Sequence, residues 1–389
     1  AGLMTALALA FAPRDGADKT RVAGFTLAAL GLIAFALSLV LTETALTLAF
    51  AAVTLAAALL DRKFDLRPLS VAVQIGAIGL AWRLIFDPGL GWAETAPYWE
   101  LALAYGGSVA ALVATVGALR PRVRPAALVV AESAAWTLGA VFVNVLIARA
   151  IQDAAPGVGV QNHWAMSLMG MVWLVSAANQ LWRTQLGGKL AKLRWGLAGL
   201  YAAGGALYLA LALGPENPLF VYGRETGVVL GPPFVNTLAV AYLIPALFFG
   251  FLARRFGFLD RRLRLGFALV SAALGALWLF LAIRDFWRGD EIASADFSQP
   301  ELYTYTMVLL LIGAGLLWQA IAKRSATLRK IGMGVIAVTI AKVFLVDMSG
   351  LVGLLRVFSF LALGLALAGL AFLNRWAASH TGEAERGGE

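Results

Sequence analysis

Long apolar runs, separated by short polar or basic connections, follow one another along the whole sequence. A membrane-spanning helix needs about 17–25 mostly apolar residues, and twelve of the runs have this length. They lie near residues 22–42, 44–60, 67–85, 99–119, 125–149, 163–183, 193–213, 234–253, 264–285, 301–321, 329–347 and 351–374. The pattern predicts an all-α, polytopic integral membrane protein with about twelve complete transmembrane helices.

A further apolar stretch, residues 1–12, is too short to cross a membrane. It begins with neither methionine nor a basic segment, so it does not resemble a signal peptide. We therefore expect it to be the second half of a truncated N-terminal helix, with further helices of the same chain preceding residue 1.

The composition excludes several other classes of protein. Hydrophobic residues make up 61% of the 389 residues, charged residues 14%, and the mean hydropathy is +0.81, whereas about 25% of a soluble chain is charged. The sequence has no cysteine and only two histidines, far apart, so no metal site is predicted. It also lacks nucleotide-binding and hydrolase motifs. No cofactor is predicted, and an enzymatic activity is left open.

Lysine and arginine are distributed unequally between the two sides of the predicted spans. One side carries 24 of the 31 residues and the other carries six, with Lys342 inside a span. By the positive-inside rule the richer side is cytoplasmic, which explains the +9 charge without a nucleic acid partner. The polar tail 377–389 would lie on this side and be disordered. The longer loops on the outer side are 86–98, 150–162, 214–233 and 286–300.

The spans also predict an internal repeat of helical hairpins. Five spans open on an apolar residue followed by arginine, and successive arginines are 57 to 70 residues apart. The hairpins begin near residues 21, 67, 124, 194, 264 and 329. Such a period indicates a repeated supersecondary unit, although any span with a basic flank would look similar. We expect residues 1–376 to form a single transmembrane domain built from these hairpins.

Two segments of the chain have the sequences that are most specific for a protein family. Residues 342–373 read KVFLVDMSGLVGLLRVFSFLALGLALAGLAFL, and residues 236–247 read NTLAVAYLIPAL. These segments resemble a large bacterial family of predicted membrane proteins, domain of unknown function 2339. The resemblance implies a longer protein of which this chain is the C-terminal half, and it implies no activity. Together with the distribution of basic residues, it predicts the bacterial cytoplasmic (inner) membrane, with the C-terminus in the cytoplasm.

Ionisable residues within spans are costly and are functional candidates by default. Lys342 is the strongest candidate, with Asp347 and Arg356 nearby on the last hairpin. Because Lys342 and Asp347 are five residues apart, they are not expected to share a helix face. We expect Asp347 to pair with Arg356 across the turn while Lys342 extends to the outer surface. The alternative is a cationic pocket, formed by Lys342 and Arg356, for an anionic headgroup.

Three arginines that end outward-going helices are further candidate ligand residues: Arg83, Arg149 and Arg284. Aspartates follow them within four residues, namely Asp87, Asp153 and Asp285. Local ion pairs would explain this arrangement, but arginine also suits bidentate binding of phosphate. The arginines would then converge on a cleft whose walls include Asn144 and Asn236. Because Asn236 begins a helix, it could instead be a helix cap.

Glu132 lies within a span, about 10–12 Å from the predicted cytoplasmic end of its helix. No basic residue is expected at that depth, so burial would favour the neutral carboxyl. Glu132 is therefore either a proton-coupling site or a hydrogen-bonding group between helices.

These features allow three classes of function. The first is transport or flipping of an anionic lipid or an envelope glycan precursor through an outward-facing site. The second is a non-catalytic membrane scaffold of an envelope assembly. The third is a membrane-embedded transferase that uses a lipid-linked donor. The expected partners are membrane lipids and other envelope proteins.

Overall fold

A computed structural model describes residues 1–12, 14, 19–154, 159–185, 187, 191–221 and 228–347, with 361, 364–365 and 368–369. The regular elements of these residues are helices. The α-helices are α1 (Gly2–Phe11), α2 (Thr20–Val40), α3 (Glu43–Phe64), α4 (Leu69–Phe86), α5 (Gly89–Thr95), α6 (Tyr98–Leu101), α7 (Gly107–Leu119), α8 (Pro125–Ala154), α9 (His163–Thr184), α10 (Ala191–Leu213), α11 (Ile244–Arg255), α12 (Arg261–Arg288), α13 (Gln299–Ala322) and α14 (Ala326–Lys342). Three π-helices are π1 (Ala102–Gly106), π2 (Ala239–Leu243) and π3 (Val343–Asp347).

Eight helices of the described residues are long and apolar enough to cross a membrane. They are α2, α3, α4, the continuous helix α6–π1–α7, α8, α10, α12 and α13. The predicted spans near 163–183, 234–253 and 329–347 coincide with helical segments outside this group. Most of the predicted span 351–374 and the whole tail 377–389 lie outside the described residues. The all-helical membrane class is confirmed, and the count of twelve spans is not.

The chain divides into two compact units. The first unit comprises residues 1–227 and 240–274, and the second comprises residues 228–239 and 275–389. The core of the first unit is formed by α3, α4, α7 and α8, around fully buried leucines such as Leu80, Leu112 and Leu138.

Helix α4 shows why these segments suit a lipid environment. Its buried residues Leu69, Val73, Ala77, Leu80 and Leu84 recur every three or four positions, which forms one stripe along the helix. Apart from Ser70, Gln74 and Arg83, the rest of the helix is also apolar, and it includes large exposed side chains. Those on α4 are Val71, Ile75, Ile78, Trp82 and Phe86. A helix that is apolar on all faces is typical of a membrane span.

Two glycines allow α9 and α10 to pack closely within the first unit. A Cβ atom at Gly205 would lie 2.6 Å from Leu174 Cγ, and one at Gly170 would lie 2.9 Å from Tyr208 Cβ. Small residues at such contacts are typical of membrane helix pairs, because they let the backbones approach one another.

Three predicted hairpins share a contact between their two helices. A tyrosine hydroxyl of the returning helix lies within hydrogen-bond distance of a backbone carbonyl oxygen near the end of the outgoing helix. The pairs are Tyr105 with Leu84 at 2.7 Å, Tyr242 with Ala212 at 2.8 Å and Tyr305 with Phe280 at 3.2 Å. However, the most extensive helix contacts, α3–α4, α9–α10 and α13–α14, connect neighbouring predicted hairpins. The repeat stays a prediction.

Candidate functional site

Lys342, at the end of α14, is the centre of a polar cluster in the second unit. Its Nζ donates hydrogen bonds to Asp347 Oδ1 at 2.5 Å, to Thr306 Oγ1 at 2.8 Å and to the Leu302 carbonyl oxygen at 3.0 Å. Thr306 Oγ1 in turn donates to Asp347 Oδ2 at 2.6 Å. The side chains of Lys342 and Asp347 are only 17% and 4% exposed. We call these four residues the Lys342 cluster.

The π-helix explains why Lys342 and Asp347 meet. In an α-helix, residues five apart point about 140° away from each other. Here π3 begins directly after Lys342 and ends at Asp347. Its wider i→i+5 turn brings the two side chains to the same side. The prediction that they do not share a helix face was wrong for this reason, and π-helices are frequent at functional sites.

Arg356, the expected partner of Asp347, lies outside the described residues. Within the described part of the chain, Asp347 bonds to Lys342 and Thr306. The ammonium group of Lys342 is held by three oxygen atoms of its own unit. The extension of Lys342 to the outer surface stays a prediction.

Glu301, in the first turn of α13, organises a second group of charges. Its side chain is fully buried and receives hydrogen bonds from Arg284 Nη1 at 3.0 Å and Arg288 Nε at 3.2 Å. The Tyr305 hydroxyl lies 3.1 Å from Glu301 Oε1. Glu301 also closes a capping box with Ser298 at the start of α13. We call Glu301, Arg284, Arg288 and Tyr305 the Glu301 network.

Arg284 is almost fully buried, at 3% exposure. Besides Glu301, its Nε donates to the Ile292 carbonyl oxygen at 2.6 Å, and its guanidinium lies over the Phe297 ring at 4.7 Å. The expected local pair of Arg284 with Asp285 is wrong, because adjacent residues of a helix point in different directions. Sequence reasoning missed Glu301, although Ser298 followed three residues later by glutamate is a known capping signal.

Asp285 instead accepts a hydrogen bond from Asn236 Nδ2 at 2.9 Å, within the second unit. Asn236 Oδ1 also accepts from the backbone amides of Leu238 at 3.1 Å and Ala239 at 3.4 Å. The capping role for Asn236 is therefore confirmed, and its side chain is committed to protein contacts.

The Lys342 cluster and the Glu301 network both include residues from the start of α13, where Leu302 directly follows Glu301. Their charged members are Arg284, Arg288, Glu301, Lys342 and Asp347. Three cations and two carboxylates leave a formal charge of +1. We call these five residues the α13 ionic site.

Arg149 is satisfied within the first unit. Its Nη1 donates to the carbonyl oxygens of Ala96 at 2.5 Å and Ala93 at 3.4 Å, at the C-terminal end of α5. Its guanidinium also lies 4.0 Å from the centre of the Tyr98 ring. The Tyr98 hydroxyl bonds to Asp153, the aspartate that was expected to pair with Arg149. Among the described contacts, Tyr98 therefore lies between Arg149 and Asp153, and the two form no direct ion pair.

Arg83 makes the local pair that the sequence predicts, with Asp87 at 3.8 Å. Asp87 is 80% exposed, so this pair adds little stability. Arg83 also donates to Thr47 Oγ1 at 3.0 Å and to the Glu43 carbonyl oxygen at 3.2 Å. Arg83 and Arg149 share none of these partners, and no contact of the described residues supports a common cleft between them.

Glu132 has the basic partner that was not expected. Arg183 Nη1, at the end of α9, lies 2.5 Å from Glu132 Oε1, and its guanidinium lies over the Trp136 ring at 5.5 Å. Asn144 Nδ2 donates to the Ala140 carbonyl oxygen at 3.1 Å on its own helix. Within the described residues, Asn144 Oδ1 is buried without a hydrogen-bond partner. Proton coupling by Glu132 stays a prediction.

Arg124 makes the most complete ion pair at the predicted cytoplasmic ends of the helices. Its guanidinium donates to both carboxylate oxygens of Asp61 at 2.9 Å, and its Nη2 also lies 2.6 Å from Asp65 Oδ1. The hydrogen bond to Asp61 raises the pKa of Arg124, and the hydrogen bond from Arg124 lowers the pKa of Asp65. Asp61 is fully buried. Sequence reasoning used Arg124 only as a repeat marker and missed this pair.

Apolar helices with exposed hydrophobic faces and buried ion pairs between them define a polytopic membrane protein. The family model described as Predicted membrane protein (DUF2339) matches residues 1–376, so the chain belongs to this family of unknown function. The resemblance inferred from the sequence is thereby confirmed. Comparisons with curated proteins and with solved structures gave no match.

Proposed function

We propose that the protein translocates an anionic lipid, or a lipid-linked envelope glycan precursor, across the bacterial inner membrane. The α13 ionic site would receive the phosphate group from the outer side. The observation that carries this proposal is the excess of cations, since within the described residues Arg284, Arg288 and Lys342 pair with two carboxylates. In surroundings of low dielectric constant, an excess positive charge favours an anion. Arginine in addition offers paired donors for phosphate.

The proposal includes a topology of about twelve spans with the C-terminus in the cytoplasm. The absence of cysteine makes single-cysteine labelling a direct test. Ile292 is buried and would label poorly, whereas Ala295 in the same loop is exposed. We expect a membrane-impermeant maleimide to label Ala295→Cys in intact cells, and Ala326→Cys only after the membrane is opened. The reverse pattern would contradict the topology.

Lipid movement can be measured in proteoliposomes with fluorescent phosphatidylglycerol and dithionite quenching. We expect the protein to expose inner-leaflet probe to quenching, and Lys342→Gln to slow this about tenfold or more, as for loss of a charged hydrogen bond. The matched control is Lys330→Gln, which changes an exposed lysine on the same helix, α14. Its rate should equal that of the unchanged protein. Equal rates for both variants would contradict the proposal.

A second variant separates binding from folding. Lys342→Gln leaves Asp347 buried with Thr306 as its remaining partner in the described residues, and such a loss destabilises a fold. Lys342→Met/Asp347→Leu removes both charges and leaves no unpaired carboxylate. We expect this protein to fold and to remain inactive in the quenching assay. If it translocates lipid at the normal rate, the pair is structural and the transport site lies elsewhere.

The scaffold is the second candidate, and one observation favours it. Each charged group of the α13 ionic site already has a protein partner, as in a network that only joins helices. A scaffold would give no probe movement with the unchanged protein in the same proteoliposomes. The transferase has no specific observation in its favour among the described residues, and enzymatic activity is left open.

A further inference from the structure

A cavity of about 440 Å³ lies within the first unit, between the end of α11 and the start of α12. Three arginines line it: Arg254 from α11, and Arg261 and Arg264 from α12. The sequence pattern predicts that these helix ends face the cytoplasm. None of its lining residues belongs to the α13 ionic site, and nothing in the proposed function uses it.

Arg254 and Arg261 are exposed, Arg264 is partly buried, and within the described residues the three lack a carboxylate partner such as Arg124 has. Within the described residues none of them forms an ion pair, and Arg264 Nε is buried without a hydrogen-bond partner. By contrast, Arg124 and Arg183, at the same predicted side, each bind a carboxylate. A buried donor without an acceptor destabilises the fold, so this site favours an external anion.

The nearest carboxylate in sequence is Asp260, and it is exposed. Its Oδ1 accepts from the backbone amide of Arg262 at 2.7 Å, so it caps the start of α12. Asp260 therefore forms no ion pair with the three arginines in the described structure. The cavity keeps a local excess of positive charge.

Apart from Leu265 and Ser271, the remainder of the cavity lining is small and apolar. It includes Gly250 and Ala253 of α11, and Ala268 and Ala272 of α12. A Cβ atom at Gly250 would lie 2.9 Å from Ser271 Oγ, so the two helices approach closely at this point. The result is a strip of small residues that leads away from the arginines along a pair of apolar helices.

We propose that this cavity binds one anionic phospholipid of the cytoplasmic leaflet. Its phosphate would bind Arg254, Arg261 and Arg264, because guanidinium groups match phosphate oxygens. One acyl chain would lie along the small residues Gly250 and Ala268. A basic pocket between membrane helices at the cytoplasmic side is the arrangement that such headgroups require.

The test uses the full chain in neutral detergent, where no charged membrane surface attracts the lipid. Binding of dioctanoyl phosphatidylglycerol is measured by native mass spectrometry. We expect Arg254→Gln/Arg261→Gln to weaken binding about tenfold to thirtyfold, at roughly one factor of five per arginine. The matched control is Arg255→Gln/Arg262→Gln, which removes the same charge from neighbouring exposed positions on α11 and α12. This control should change binding less than about threefold.

A second variant keeps all charges and fills the apolar floor. Ala268 is exposed in the cavity wall, so Ala268→Phe is compatible with folding. We expect it also to weaken phosphatidylglycerol binding, which a site for phosphate alone would not show. Equal losses for the two arginine pairs would overturn the proposal, as would equally tight binding of dioctanoyl phosphatidylcholine. Complete displacement of the lipid by millimolar inorganic phosphate would overturn it in favour of a soluble ligand.

Discussion

Replacing Glu301 by alanine is expected to lower the free energy of unfolding by roughly 3–5 kcal/mol, the usual cost of breaking a buried ion pair. Glu301 is fully buried, and Arg284 beside it is 3% exposed. The truncation would leave the Arg284 guanidinium in the protein interior without a carboxylate partner among the described residues, next to a carbonyl oxygen and an aromatic ring. It would also remove the capping box of α13. Unfolding by sodium dodecyl sulfate in mixed micelles measures the change.

A matched substitution in the same connection provides the control. Glu291 is exposed, so Glu291→Ala should change the free energy of unfolding by less than about 0.5 kcal/mol. Glu301→Gln/Arg284→Met should recover part of the loss, because it removes the almost fully buried guanidinium of Arg284 and leaves only Arg288, which is 17% exposed, without its carboxylate. If Glu301→Ala is as stable as Glu291→Ala, then Glu301 does not hold Arg284 in the folded protein.

The positions of the membrane helices were predictable because they depend on local composition. The apolar runs at 99–119 and 193–213 correspond to Tyr98–Leu119 and Ala191–Leu213. A run of this length must form a helix in lipid, whatever it packs against, because its backbone has no other hydrogen-bond partners. This rule needs no knowledge of neighbouring elements.

Side-chain partners were harder to predict, because they depend on how each helix is rotated and where its neighbours end. Arg284 was expected to pair with the next residue, yet it points towards Glu301 on the following helix. Glu132 was assigned no partner from its depth alone, but Arg183 reaches it from the end of α9. A long arginine side chain covers such a difference in depth by extending along the helices.

The π-helices are the feature that periodicity could not detect. Lys342 and Asp347 were predicted to lie on different faces of the helix, because the α-helical period was assumed to continue through π3. For the other two π-helices a signal was present, since Leu-Ala-x-Ala-Tyr occurs at residues 101–105 and again at 238–242. Each copy contains a π-helix and ends on a buried tyrosine that bonds to the preceding outgoing helix. This motif strengthens the case for repeated hairpins, independently of the arginine spacing.

A second large loss of stability is expected from a substitution at Asp61, where α3 meets the segment before α8. Asp61→Ala should lower the free energy of unfolding by roughly 3–5 kcal/mol, because Asp61 is fully buried and Arg124 is only 7% exposed. Both carboxylate oxygens of Asp61 bind the guanidinium at 2.9 Å, a bidentate geometry that neutral or water-mediated contacts do not replace. The same unfolding measurement in mixed micelles applies.

Asp65 offers a matched control on the same arginine. It accepts from Arg124 Nη2 at 2.6 Å but is 48% exposed, so Asp65→Ala should cost less than about 1 kcal/mol. The contact of Arg124 with Asp65 is shorter than its contact with Asp61. The larger loss of stability expected for Asp61→Ala therefore comes from the burial of Asp61 and not from its distance to Arg124. Asp61→Leu/Arg124→Met should be more stable than Asp61→Ala, because it removes the buried guanidinium that Asp61→Ala leaves with the exposed Asp65 as its remaining carboxylate partner. Similar losses for Asp61→Ala and Asp65→Ala would show that Arg124 is hydrated in the folded protein.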